Sequence, residues 1–374
     1  MNDLLVQIES LPELVREDFP RILENVSACF GKKEAQSFER LLITGCGDSY
    51  FAGLGTRMAI ENWSGLRAAA ASSLQAGRFD LPREQAHAPE KLLVLGVSRS
   101  GFVSRTIEAV RIANQVGART AAVTGTPGSQ LAEEADGVID CSVEDYPGGP
   151  NLRSYHASLL ALYAVGLHFG EAKSLLSAAE ANRIVGEVLA AADVMAATIE
   201  DNKPKVQALA DALKDEDVFH YIGHGPNTAS AKFSAAKVVE CVGRYATPQD
   251  TEEWAHLEYF NTVKTDVPTF VISPGYRAHT LAAVFTSQMQ RVGRFSIAVT
   301  PSDDNVVAPL AKVHLPVVGQ VSEALSPLVY PLAGSLFGAY LLEFVDAVPF
   351  RRDNPRYDTS EDHRITQVVG LVDL

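Results

Sequence analysis

Apolar residues recur three or four positions apart from the start of the chain to about Lys33: Leu4, Leu5, Ile8, Leu11, Leu14, Val15, Phe19, Ile22, Leu23 and Val26. That spacing predicts one or two amphipathic surface helices. The pattern then changes. LLITGCG (41–47) is a continuous apolar run ending in a glycine turn, and YFAGLGTRMAIENW returns to helical period. LLVLGV (92–97) leads through SRSGF into another helical stretch. RTAAVTG (119–125) is followed by TPGSQLAEEAD and GVIDCSV. Continuous apolar strands alternating with amphipathic helices predict an α/β fold, with a parallel sheet covered by helices on both faces.

YPGGPNL (146–152) interrupts this order, and residues 153–215 read as long helices rich in Ala and Leu. The opening pattern then returns. DVFHYIGHG (217–225) matches ERLLITGCG, TFVISPG (269–275) matches LLVLGVS, and RFSIAVTPS (294–302) matches RTAAVTGTP. The offsets agree: 223 − 45 = 178, 273 − 98 = 175 and 300 − 124 = 176. Three landmarks at nearly one spacing predict an internal duplication. The expected order is an N-terminal helical segment (1–34), a first doubly wound, flavodoxin-like domain (35–195), a second (196–347) and an arginine-rich tail (348–374). Residues 325–347 read as a buried helix.

A length of 374 residues suits two such domains. The formal charge of -14 argues against general binding to nucleic acid or anionic membranes, but is compatible with a local positive pocket. Cys29, Cys46, Cys141 and Cys241 are scattered, so neither a zinc site nor a disulfide framework is expected. The N-terminus lacks the basic start and apolar run of a secretion signal, and no apolar stretch reads as a membrane span. A cytoplasmic protein is expected. The histidines show no HxH or HExxH spacing, so no metal is expected. Tyr50 stands where a dinucleotide fingerprint needs its third glycine, and no GxxxxGK[ST] occurs, so no nucleotide cofactor is expected either.

In a parallel sheet, ligands sit at the carboxyl ends of strands near a topological switch. The turns GCGDSY and SRSG fall there. Helix-start N–H groups and serine hydroxyls favour an oxyanion, which makes Ser49, Ser98, Ser100 and Ser104 candidate ligands. Helix capping by the same serines is the alternative.

CGDSY, SRSG and AVTGTPGS, in this order, resemble the sugar isomerase (SIS) domain family. Over roughly residues 10–345 the chain resembles the isomerase half of glucosamine-6-phosphate synthase and its relatives: sugar-phosphate isomerases, aminosugar deaminases and fructosyl-amino-acid deglycases. The resemblance implies tandem SIS domains and a homodimer with active sites near the subunit boundary. It implies a phosphate held by Cys46, Gly47, Asp48 and Ser49 together with the turn Ser98, Arg99, Ser100, Gly101, Phe102 and Val103. The chain departs from the family pattern at Asp48, where a neutral Thr is usual, and at Val103, where a hydroxyl is usual. Arg99 replaces a Gln and restores positive charge, with Ser104 one step beyond Val103. The glutaminase half has no counterpart here, so glutamine-dependent amidotransfer is not expected.

The resemblance also implies catalysis by Glu240 and His256, which stand at the family's separation (256 − 240 = 16), with Glu253 three residues before the histidine. Chemistry asks for the same residue types. Moving a carbonyl between C1 and C2 needs a carboxylate base, and opening the sugar ring suits an imidazole near neutral pH. Glu240 is expected to move the proton, His256 to open the ring, and Glu253 to orient His256 or bind substrate. His224 and Asn227 in the second glycine turn, and Arg153, Ser154 and Tyr155 after the PGGPN break, are further candidate sugar contacts. His279, His314 and His363 read as structural or solvent-facing. No lysine follows Lys312. Arg356, His363 and Arg364 stand where the synthase places its carboxyl-terminal lysine, so Schiff-base chemistry through that residue is not expected. The expected activity is metal-independent aldose–ketose isomerisation, or deglycation/deamination, of a phosphorylated or otherwise anionic (amino) sugar. The alternatives are an isomerase of a non-phosphorylated anionic sugar such as a sulfo-sugar, and a non-catalytic sugar-phosphate sensor.

Overall fold

The computed structural model describes every residue except 1, 145, 147, 148, 262, 263, 358–365, 368, 369 and 372–374. His363 and Arg364 lie outside the described residues. The chain forms two compact units. The first comprises the described residues of Glu13–Asp145, Arg153–Leu189 and Asp358–Leu374. The second comprises those of Met1–Pro12, Tyr146–Leu152 and Ala190–Tyr357. The N-terminal periodicity forms a 27-residue helix, α1 (Asp3–Cys29), and the short α2 (Lys32–Ser37). The α1 stripe is fully buried at Ile8, Leu11, Leu14, Val15, Phe19 and Ile22.

In the first unit, β1 (Arg40–Gly45), β2 (Arg67–Ser72), β3 (Leu92–Val97), β4 (Arg119–Thr124) and β5 (Val138–Asp140) form a parallel sheet ordered β2-β1-β3-β4-β5. The intervening helices are α3 (Asp48–Ser64), the one-turn α4 (Ser73–Gln75), α5 (Ser104–Val116) and α6 (Gln130–Glu134); α7 (Leu152–Ala172) follows β5. On one face, Ile112 and Val116 of α5 pack against Leu42 and Val94, and Ile107 and Val110 against Ala122. α7 packs close to α3: a Cβ on Gly166 would lie 3.2 Å from the Ile60 backbone. From β1 the chain passes to one neighbour, β2, and then back across to the other, β3. The carboxyl ends of β1 and β3 therefore form the switch point where such sheets bind ligands.

The second unit repeats this order. After α8 (Ala178–Ala212) come β6 (Val218–Gly223), α9 (Asn227–Val242), β7 (Tyr245–Asp250), α10 (Thr251–His256), β8 (Pro268–Ile272), α11 (His279–Arg291), β9 (Phe295–Pro301), β10 (Val313–Val317) and α12 (Leu332–Val345). Its strands are again parallel, and β7-β6-β8-β9-β10 corresponds position for position to β2-β1-β3-β4-β5. Two doubly wound α/β sheets with the same topology are the expected fold class.

Right-handed crossovers send α9 and α10 to opposite faces of the second sheet, because β6 to β7 and β7 to β8 run in opposite directions across it. The core shows this. Ile222, Val271 and Ala298 pack with Trp254 of α10 and with Ala282 and Met289 of α11. Phe270, stacked on Tyr221 at 4.4 Å, meets Phe337 of α12 at 5.1 Å on the other face. There α12 lies close on α9: a Cβ on Gly334 would be 2.3 Å from the Ser234 Cβ, and one on Gly338 would be 3.2 Å from the Lys237 Cβ. The segment Glu323–Val345 corrects the reading that no apolar stretch is long enough to span a membrane. It is long and apolar enough, but 83% of its most apolar window is buried inside the protein, as in a core helix.

His220 on β6 is 2% exposed, and burial together with the Arg294 charge lowers its imidazole pKa to about 4. The unfolded chain takes up this proton near 6.5 and the folded chain only near 4. The associated stability is therefore complete above about pH 6.5 and disappears as the pH falls toward 4. The difference amounts to roughly 3 kcal/mol. Urea unfolding between pH 7 and 4.5 should show this decline, and His220→Phe should flatten it. Equal pH slopes in the two proteins would remove His220 as the cause.

Candidate active site

The two strand-end turns of the first switch point differ in what they offer. At β1, a Cβ on Gly45 would lie 2.8 Å from the Ser49 Cβ, so only glycine lets α3 start this close to the strand. Cys46, Asp48 and Ser49 are half-buried and Gly47 is exposed, at the mouth of the strand. At β3, Gly101 has φ +69°, and a Cβ there would meet the Ser129 Oγ at 1.8 Å. The Ser98 hydroxyl accepts the Gly101 N–H (3.2 Å), and the Ser100 hydroxyl accepts that of Phe102 (3.3 Å). The Arg99 carbonyl accepts from the Gly125 N–H (3.1 Å), the Thr126 hydroxyl (3.2 Å) and the Thr124 hydroxyl (3.3 Å). These bonds from the end of β4 fix the Arg99 backbone while its side chain stays exposed.

A cleft of about 300 Å³ opens beside this turn. Arg99, Ser100, Thr126, Ser154 and Ser158 give it a polar lining, and Phe102 and Val143 an apolar one. Its charge and hydroxyls can take an anion or a polyol, with the guanidinium as the charged donor. Phe102 belongs to the turn that the resemblance assigns to the phosphate, whereas Thr126 and Ser158 were not singled out from the sequence. Those two become neighbours of Arg99 only when β4 and α7 pack beside β3.

Several expected anion ligands are placed otherwise. Ser98 is 3% exposed and closes its own turn. Ser104 is 5% exposed, and its N–H donates to the Thr366 carbonyl at 3.0 Å, so this helix-start donor is already used. Cys46, Gly47, Asp48 and Ser49 do not line the cleft. Tyr155 is 1% exposed, and burial first, then Tyr163 and Asp48, hold its phenol pKa well above the usual value. It faces the interior near Asp48, and Arg153 is also buried.

In the second unit, Glu240 lies in the last turn of α9, half-buried. Its Oε2 accepts from the Lys237 Nζ at 2.6 Å. Lys237 is 0% exposed, and its ammonium also sits 4.4 Å from the Phe233 ring centroid. The sequence reading missed Lys237, although its position three residues before Glu240 on a helix was the available signal. His256, with its side chain 64% exposed, pairs through Nε2 with Glu252 Oε1 at 3.1 Å. The orienting partner expected at Glu253 is instead Glu252, the i,i+4 residue that stacks over the histidine on α10; Glu253 is exposed. Glu240 and His256 lie on the opposite faces assigned above to α9 and α10, with the sheet between them.

Asn227 is 0% exposed; its Nδ2 donates to the Ser326 hydroxyl (2.7 Å) and its Oδ1 accepts from Ser230 (2.9 Å). It holds α9 to the 326 segment rather than facing substrate. His224 is 7% exposed, with Nδ1 3.2 Å from the Thr251 hydroxyl. Burial lowers its pKa, partly offset by Asp250. His279 links Ser273 (2.7 Å) to Asp304 (2.9 Å), and His314 bonds Thr300 (3.0 Å), so both are structural. Although burial pushes Asp304 up, the N–H groups of Val306 and Ala308 and the His279 ring bring it to about 2, so its carboxylate accepts from His279 Nε2. Among the described residues, no three His, Cys, Asp or Glu side chains are grouped to hold a metal ion.

Residues 36–167, which contain both first-unit turns and the cleft, match the SIS domain family model. The chain carries an SIS domain. Over 328 residues it is 26% identical to the glutamine–fructose-6-phosphate aminotransferase (isomerizing) of Mycolicibacterium paratuberculosis, covering 87% of this chain and 51% of that protein. The chain thus spans about half the length of the curated relatives it matches. Among solved structures, the C-terminal domain of glucosamine-fructose-6-phosphate aminotransferase from Francisella tularensis superposes with a TM-score of 0.80 at 16% identity, covering 93% of this chain and 98% of that one. A protein of Clostridium difficile 630, to which a phosphosugar isomerase activity has been ascribed, superposes with a TM-score of 0.79 at 18% identity, covering 91% and 94%. At these identities the structural likeness is one of fold, and both units share in it.

Proposed function

We propose that this SIS protein is an aldose–ketose isomerase, or a deglycase or deaminase, of an anionic (amino) sugar, working by proton transfer between C1 and C2. The observation that carries the proposal is the Glu240 carboxylate held at 2.6 Å by the fully buried ammonium of Lys237. A buried cation keeps a charged, oriented carboxylate at a helix end, which is what a carbon-acid base requires. Arg99 and Ser100 bind the anion. His256, paired with Glu252, moves the ring-opening proton. Because the sheet separates Glu240 from His256, the reaction takes the two from different copies of the chain, and the working form is a homodimer. Names of matched relatives and superposed structures, which include phosphosugar isomerases and an isomerizing aminotransferase, support the substrate class.

A thermal-shift screen tests the proposal, with fructose 6-phosphate, glucosamine 6-phosphate, fructosyl-amino-acid 6-phosphates, 6-sulfo sugars and uncharged parent sugars as ligands. A ligand at about 100 times its Kd should add roughly 2.7 kcal/mol of stability. Phosphate-bearing sugars should stabilise the protein and their uncharged parents should not. Stabilisation by sulfo-sugars alone would redirect the proposal to that anion. Stabilisation by none would end it.

A further inference from the structure

We infer that Arg294 is a positioning residue for His256, an inference that rests on the proposed function. Arg294 precedes β9 and is 1% exposed. A guanidinium that deeply buried is costly unless its donors are satisfied. Here the two Nη groups are held by the segment that follows His256, while Nε has no partner among the described residues. Nη2 donates to the carbonyls of Glu258 (2.7 Å) and Asn261 (3.0 Å) and lies 3.5 Å from that of Tyr259; Nη1 reaches the Lys264 carbonyl at 3.4 Å. The same guanidinium lies 6.0 Å from the ring centroid of Trp254, which is fully buried two residues before His256. Trp254 in turn packs edge-on against Tyr259 at 5.8 Å.

One rigid, planar group therefore grips the chain on both sides of the histidine. The His256 side chain is largely exposed, and among the described residues it makes one side-chain hydrogen bond, to Glu252 on its own helix. Its position is therefore set by the backbone of α10 and the segment after it. Lysine cannot replace this grip, because an ammonium has no planar fork of donors to span several carbonyls.

Arg294→Lys keeps the charge and releases the fork. It should lower kcat roughly 100-fold, as a displacement of about 1 Å at a reacting group does. KM should stay within about twofold, because the anion-binding cleft is untouched. Mixed oligomers separate positioning from general damage. Glu240→Gln mixed with His256→Gln should regain activity, since one site then has both groups intact. Glu240→Gln mixed with Arg294→Lys should regain it for the same reason. His256→Gln mixed with Arg294→Lys should not, because both lesions fall on the same contributor. Trp254→Phe, which shrinks the ring beside the guanidinium, should behave like Arg294→Lys and serves if the latter does not fold. Wild-type kcat in Arg294→Lys, or no recovery with Glu240→Gln while the control mixture recovers, overturns the inference. Full turnover in Glu240→Gln or His256→Gln alone would instead overturn the proposed function. A silent control mixture would remove only the two-copy arrangement, and the kcat and KM of Arg294→Lys then decide its role.

Discussion

Glu240→Gln should abolish most turnover, by 10²–10⁴-fold in kcat, the usual contribution of a positioned general base. KM should change little, and the protein should stay folded. The choice of glutamine matters because of Lys237. Removing one partner of a buried ion pair leaves an uncompensated charge and costs about 3–5 kcal/mol. Lys237 is fully buried beneath the Gly338 contact of α12 and cannot swing into water. The glutamine side chain of Glu240→Gln retains a carbonyl for the ammonium at the 2.6 Å site, so it removes the base and spares much of the fold. Glu240→Ala should lose activity and stability together. Steady-state kinetics and chemical unfolding on the two variants separate these effects. Turnover near wild type in a folded Glu240→Gln would show that another group moves the C1/C2 proton.

Arg99→Gln should raise KM for an anionic substrate about 10- to 100-fold and leave kcat nearly unchanged. A hydrogen bond to a charged group is worth about 1.5–3 kcal/mol, and the exposure of Arg99 places the effect at the lower end of the corresponding range. The loss should shrink as salt rises, because an exposed charge is screened. Glutamine is also the residue usual at this position in the family pattern, so the backbone bonds that Thr124, Gly125 and Thr126 make to the carbonyl of residue 99 should survive. Uncharged sugars should show no KM change. If the anionic substrate shows none either, the cleft beside SRSG is not where the anion binds.

Much of this protein is written in short-range sequence pattern. Apolar runs repeated at one nearly constant offset marked two parallel sheets built alike, because a strand buried on both faces needs apolar side chains in both directions, whereas the strand order came only with the tertiary structure. The turns were legible for a related reason: Gly45 and Gly101 stand where any Cβ would collide with Ser49 or Ser129. What a serine in such a turn does was not legible. Ser98, Ser100 and Ser104 carry the same hydroxyl, yet Ser100 lines the cleft, Ser98 closes its own turn, and the Ser104 N–H is taken by Thr366, 262 residues away (366 − 104). Spacing likewise marked Glu240 and His256 but not their surroundings. Lys237 becomes a buried partner because Gly334 and Gly338 let α12 close over α9. Glu252 rather than Glu253 meets His256 because helix geometry aligns residues four apart. The side of the sheet each group occupies follows from crossover handedness. Local pattern specifies which segments are buried; which polar atoms then meet depends on segments far apart in the chain, and only the tertiary structure decides that.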